Sequence, residues 1–193
     1  MSDPHPDIDP FVLTGGKSSR FGRDKLLAPA GRGMLLVDYP IAALREVFGH
    51  RVALAGHCDS SIHAHADSVI DDPYPGVGPI GGIIAALEST SNDIFVLAGD
   101  LPSVEPSHIR QILNIAKFSP SALAILARTD TVEPLIGLYR HACLTILKDR
   151  LDNNRPSLHD AIPAHKHELV PIPFEAADNI NTQAKWRTRF GQR

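Results

Sequence analysis

Short apolar runs separated by longer amphipathic stretches set the pattern of the chain. The runs at 11–15 (FVLTG), 51–56 (RVALAG), 68–72 (SVIDD), 94–100 (IFVLAGD), 122–127 (ALAILA) and 134–139 (PLIGLY) have strand length and end in turn residues. Their apolar character is nearly continuous rather than alternating, which predicts strands covered on both faces. Between them the spacing becomes helical. VDYPIAALREVF sets Ile41, Leu44 and Phe48 at three- and four-residue intervals, with Asp38 as the expected N-cap and Pro40 in the first turn. PIGGIIAALEST opens on Pro79, and EPSHIRQILNIAKF opens on Pro106 with Ile109, Ile112, Leu113 and Ile115 available for packing. Strand and helix alternating at these lengths predict an α/β fold with right-handed crossovers: a doubly wound, mostly parallel sheet with helices on both faces. The stretch 149–175 is rich in Pro and Asn and weakly patterned, and reads as a peripheral lobe. Near the C-terminus, TQAKWRTRF predicts a last helix whose Trp186 and Phe190 pack onto the body.

Composition narrows the class. The chain has 193 residues, 43% hydrophobic and 21% charged, which suits one core of ordinary size and a single domain over 1–193, with 1–8 as a flexible start. Nineteen Lys and Arg against 22 Asp and Glu leave a formal charge of −3, so nothing in the overall balance attracts nucleic acid. Basic residues do gather in KWRTRFGQR, but no aromatic platform accompanies them, and no nucleic-acid partner is expected. Two widely spaced cysteines, Cys58 and Cys143, fit a reducing compartment. The start, MSDPHPDIDP, lacks a basic and an apolar region, and nowhere do about 18 apolar residues run together. A soluble, cytoplasmic protein with no membrane partner is the expectation.

One segment departs from this even distribution. VLTGGKSSRFGRDK (12–25) puts three glycines, two serines and four basic side chains behind the first apolar run. In a doubly wound sheet, ligands bind beyond the carboxyl ends of the strands. Gly15, Gly16 and Gly22 let the backbone come close to a ligand and present amide N–H groups to phosphate oxygens, while Lys17, Arg20, Arg23 and Lys25 add cations. A polyphosphate meets both features; a turn carrying solvated basic residues is the plainer reading. The glycine spacing matches neither the Walker pattern nor the dinucleotide fingerprint. A second signal favours the phosphate reading: IFVLAGDLPSV is a buried strand that delivers Asp100 to the same sheet edge, where a carboxylate can hold Mg²⁺ against substrate phosphates.

The residues then carry a resemblance. LTGGKSSRFGRDK resembles the signature of the nucleotidyltransferases that act on the molybdenum cofactor, and DDPYPGVGPIGGIIAALE resembles that family's next block. AGDLP, EPLIGLYR, NRPSLHDAI and NINT follow in the family's order, so the likeness spans residues 12–182. EPLIGLYR and the DK ending point to the molybdenum cofactor guanylyltransferases of the MobA-like family, and so to a Rossmann-like nucleotidyltransferase fold. The resemblance implies that GTP and molybdopterin, with or without molybdenum, give the guanine dinucleotide cofactor and pyrophosphate. It also implies Mg²⁺ as cofactor, and transient contacts with proteins that deliver the pterin or accept the product.

Roles follow in the same way. Arg20 and Lys25 would act on the triphosphate, with Lys25 nearest the α-phosphate, and Asp100 would hold the metal and complete the catalytic set. Leu13, Thr14, Gly15, Gly16, Lys25, Asp72 and Asp100 would bind the nucleotide. Arg155, Ser157, Asn179 and Asn181 would bind the second substrate, although Asn179 and Asn181 also read as a turn and N-cap before the last helix. Lys25 is expected to be exposed, so that its loss costs rate rather than stability.

Other readings remain beside this one. The second strand carries Ala55 where the guanylyltransferases often have Asn, so base recognition would fall to backbone near Gly56 or to His57. SRFGRDKLLAP also resembles the CTP-dependent cytidylyltransferase branch. A non-catalytic nucleotide- or cofactor-binding homologue is a further alternative, against which Arg20, Lys25 and Asp100 together argue. His57, Cys58, His63 and His65 in HCDSSIHAH invite a zinc reading, but their spacing fits no common finger, and surface histidines are the expectation.

Overall fold

The computed structural model describes residues 4–15, 24–49 and 51–191. Its sheet runs in the order β3-β2-β1-β4-β6-β5-β7. These strands are β1 (Ile8–Leu13), β2 (Ala53–Ala55), β3 (Ser68–Ile70), β4 (Asp93–Ala98), β5 (Ala124–Arg128), β6 (Val132–Tyr139) and β7 (His167–Pro171). All neighbours are parallel except β6, which runs antiparallel to both β4 and β5.

Both faces of the sheet are covered, which is why the strands read as continuous apolar runs. Along β1, Val12 joins one core while Phe11 and Leu13 join the other, as the period of two requires. The first core receives α1 (Asp38–Phe48) and α3 (Pro106–Phe118); the second receives α2 (Pro79–Glu88) and α4 (Cys143–Asp152). A smaller cluster of Ala28, Ala30, Leu36 and Ile180 seats the last helix, α5 (Gln183–Phe190). There Trp186 Nε1 donates to the Pro29 carbonyl at 2.8 Å, and Phe190 packs on Tyr39 with ring centroids 5.9 Å apart. The doubly wound architecture is the expected one.

Several details differ from the sequence reading. Strand β1 starts at Ile8, inside the acidic stretch. Its Pro10 is tolerated because β2 is short and its pairing begins only at Phe11, so at Pro10 the registered neighbour is β4. Asp38 is not an N-cap: it is the first residue of α1, and its Oδ2 accepts from the amide of Leu35 at 2.7 Å. Residues 149–175 do not form a peripheral lobe. They hold the end of α4 and the strand β7, which extends the sheet beside β5.

Candidate active site

The C-terminal ends of β1, β2 and β4 meet at one edge, and the chain is locally shaped to keep that edge open. The amide of Thr14 donates to the Ala55 carbonyl at 3.0 Å, and that of Gly99 to the Leu13 carbonyl at 2.9 Å. Gly56 has φ +117, and a Cβ there would stand 2.8 Å from the amide nitrogen of Gly15, so only glycine lets the second strand turn under the loop that leaves the first. A cleft of about 500 Å³ lies above, within the range of small-molecule sites. Leu13, Thr14 and Gly15 border it at one end, and Glu133–Ile136 with Ser157 and His159 at the other.

Lys25 occupies the middle. Asp24 caps a 3-10 turn (Lys25–Leu27): its Oδ1 accepts from the amide of Leu26 at 3.0 Å. Leu26 is buried beneath Gly99, where a Cβ would come within 2.9 Å of its side chain. Anchored so, Lys25 reaches Asp100, with Nζ 2.5 Å from Oδ2, and donates to Asn181 Oδ1 at 2.8 Å. Asn181 is held in turn because the amide of Ile180 donates to the Asp100 carbonyl at 3.0 Å. Residues 75 and 156 positions from Lys25 thus converge on one ammonium group. Contrary to the expectation of exposure, the Lys25 side chain is 20% accessible and that of Asp100 is 10% accessible. Loss of either charge therefore reaches folding.

The remaining residues singled out in the sequence fall into three groups. Ser157 and Asn179 line the same cleft as Lys25, Asp100 and Asn181. The N-cap of α5 is Thr182, whose hydroxyl accepts from the Lys185 amide at 3.2 Å, so Asn181 is not spent on capping. Asp72 and Arg155 do not border the cleft. Asp72 sits over the first turn of α2, where a Cβ on Gly81 would come within 2.7 Å of its Oδ2; it accepts from the Tyr74 amide, and burial raises its pKa. Arg155 lines a separate groove with Arg150 and Asp160. Gly16 and Arg20, with Lys17, Gly22 and Arg23, lie outside the described residues. Glu133 and His159 are cleft residues that the sequence reading missed.

The HCDSSIHAH segment forms a 3-10 helix over Ser60–His65, and His65 Nδ1 lies 2.6 Å from Asp38 Oδ1. Burial pushes the Cys58 thiol above its ordinary pKa, with Asp24, Asp59 and Asp71 pushing the same way and a hydrogen bond with Thr14 pulling against them. Among the described residues, no three His, Cys, Asp or Glu side chains are grouped to hold a metal. For a hard divalent ion the donors at the cleft are suitable in kind: Asp100, whose Oδ1 accepts from no described residue, and the amide oxygen of Asn181. One protein carboxylate with substrate phosphates and water is a common way to hold Mg²⁺.

The cleft lies where the strand order of an open α/β sheet reverses, between β1 and β4, the place where such sheets bind ligands, and the family match makes the class a nucleotidyltransferase. Residues 11–168 match the MobA-like NTP transferase domain, and the chain belongs to that family. It is 34% identical over 185 residues to a probable molybdenum cofactor guanylyltransferase of Pyrococcus horikoshii, covering 93% of this chain and 90% of the relative. A protein of the same name from Rhodopirellula baltica is 29% identical over 191 residues, with 93% and 90% covered. The fold matches that of the molybdopterin-guanine dinucleotide biosynthesis protein A of Archaeoglobus fulgidus, with TM-score 0.74 at 21% identity over 94% of this chain and 96% of that one. A solved structure from Aquifex aeolicus gives TM-score 0.76 at 24% identity over 92% and 94%. Transferases of this family generally use divalent metal ions, and no helix of the described residues is long and apolar enough to cross a membrane.

Proposed function

We propose that the protein transfers GMP from GTP to the terminal phosphate of molybdopterin, or of Mo-molybdopterin, giving molybdopterin guanine dinucleotide and pyrophosphate. The convergence of Lys25, Asp100 and Asn181 beside Gly15 carries this reading, since a triphosphate entering over the glycine loop meets all of them. The names of the curated relatives supply the substrates. A phosphate oxygen of the pterin substrate attacks the α-phosphorus, the bond to the β-phosphate oxygen breaks, and pyrophosphate leaves with the electron pair. The nucleophile is already ionised at neutral pH, so no general base is required. The demand is for positioning and for neutralising charge.

Lys25 meets the α-phosphate, with Arg20 as a second cation, while Leu13, Thr14, Gly15 and Gly16 cradle the nucleotide, and Asp72, seated over the first turn of α2 outside the cleft, would have to turn toward the nucleoside. Asn179, Asn181 and Ser157 border the pterin phosphate, and Arg155 would have to approach from its own groove. Mg²⁺, held by Asp100, would offset charge on the phosphates when bound. Exchange with pterin-delivering and cofactor-accepting proteins in the cytoplasm completes the picture.

Ala55 keeps the CTP-dependent reaction as a second reading. Its side chain is fully buried in the apolar core and its carbonyl is taken by Thr14, so base choice rests on other groups. Pyrophosphate release and dinucleotide product are measured with molybdopterin, Mg²⁺ and either GTP or CTP. Guanine dinucleotide from GTP is expected. A clear CTP preference selects the second reading, and GTP binding without product marks a non-catalytic homologue.

A further inference from the structure

The cleft wall opposite the glycine loop is built by an irregularity in β6. Leu126 of β5 faces Gly137, but the next residue, Ala127, faces Glu133, so Pro134, Leu135 and Ile136 have no partner on β5. This three-residue irregularity is held in place on both sides. Tyr139, buried at 1% exposure, donates its hydroxyl to the Pro134 carbonyl at 2.7 Å. At Gly137 a Cβ would stand 2.6 Å from the Ile125 carbonyl oxygen, so β5 and β6 can approach there only through glycine. Bulges bend a strand and re-aim its side chains. Here Glu133 and the three residues after it all border the cleft.

Glu133 is half-buried, and its Oε1 accepts from the Thr129 hydroxyl at 2.6 Å, while Oε2 accepts from no described residue. Among the described residues lining the cleft, its only acidic companion is Asp100, which Lys25 already engages. A fixed carboxylate beside apolar Pro134, Leu135 and Leu158 suits a flat heterocycle that presents two adjacent N–H donors. Guanine and pterin share that edge, an amide N–H next to an exocyclic amino group. Sheet order separates them: β6 lies beyond β4, on the side away from the glycine loop of β1 and from β2 and β3.

Resting on the proposed function, we infer that Glu133, oriented by Thr129, recognises the amide N–H and amino group of the pterin ring and so sets specificity for the acceptor substrate. Glu133→Gln puts an amide where a carboxylate stood, so that one donor faces another.

Steady-state kinetics on the full chain test this, with free pterin and lumazine, whose carbonyl replaces the amino group, as competitors. Glu133→Gln is expected to raise KM for molybdopterin about tenfold or more and to leave KM for GTP within about twofold. The wild type should be inhibited more strongly by pterin than by lumazine, and Glu133→Gln should erase the difference. Thr129→Val keeps the carboxylate but loosens it, and should raise the same KM by a smaller factor; it carries the test if Glu133→Gln does not fold. An unchanged KM for molybdopterin, a rise in KM for GTP instead, or equal inhibition of the wild type by both competitors overturns the inference while the proposed function stands. A wild type that makes no dinucleotide from molybdopterin and either nucleotide overturns that function, and the inference with it.

Discussion

Lys25 and Asp100 form a pair that ties distant segments together and that, in the proposed function, also meets the substrate. The ammonium group is the anchor between the 3-10 turn after the glycine loop, the end of β4 and the segment before α5. Lys25→Ala leaves a nearly buried carboxylate without its counter-charge, at a cost of about 1–3 kcal/mol. It should therefore melt several degrees below the wild type and turn over about 10²–10³ times more slowly. Adding Asp100→Asn removes the stranded charge, so the double variant should regain most of the lost stability and none of the rate. Calorimetry and pyrophosphate release check the two halves, and normal turnover of Lys25→Ala would contradict the assignment. Asp100 was legible because it closely follows β4, whose end a doubly wound sheet puts at the ligand edge, and Lys25 because it closes the glycine-rich stretch LTGGKSSRFGRDK that resembles a family signature. Glu133 was not, because its approach to the cleft depends on a bulge that appears only when β5 and β6 are paired. Arg155 shows the reverse: its motif is legible, yet the turn after α4 carries it to another groove.

Strand β6 is the element on which the acceptor side of the cleft depends. Tyr139→Phe removes the hydroxyl that satisfies the Pro134 carbonyl, a loss of about 1–2 kcal/mol and a few degrees of melting temperature. Because the bulge positions the cleft wall, KM for the acceptor should rise while KM for GTP holds; equal changes in both, or none, would mean that the bulge stands without its hydrogen bond. The existence of β6 was legible, but its direction was not. An apolar run covered on both faces reads the same whether it runs parallel or antiparallel to its neighbours. Strand β7 was missed for a different reason. HELVP is an edge strand with only Val170 fully buried, so its burial pattern is too sparse to stand out from the Pro-rich segment around it.

At the scale of the whole molecule, the sheet order brings three distant segments to one edge: the loop after β1, the end of β4 and the chain before α5. The architecture was legible because alternating strands and helices with both sheet faces apolar leave few other solutions. How the C-terminal segment closes the cleft was not, since it depends on contacts between residues far apart in the chain: the Ile180 amide with the Asp100 carbonyl, and Lys25 Nζ with Asn181 Oδ1. In the proposed function this edge receives a nucleoside triphosphate. A crystal structure with GTP and Mg²⁺ tests it most directly. The triphosphate is expected between Gly15 and Asp100, with Lys25 Nζ turned from the carboxylate to a phosphate oxygen and the ion on Asp100. A nucleotide bound away from this cleft, or one that leaves the Lys25–Asp100 pair untouched, would contradict it.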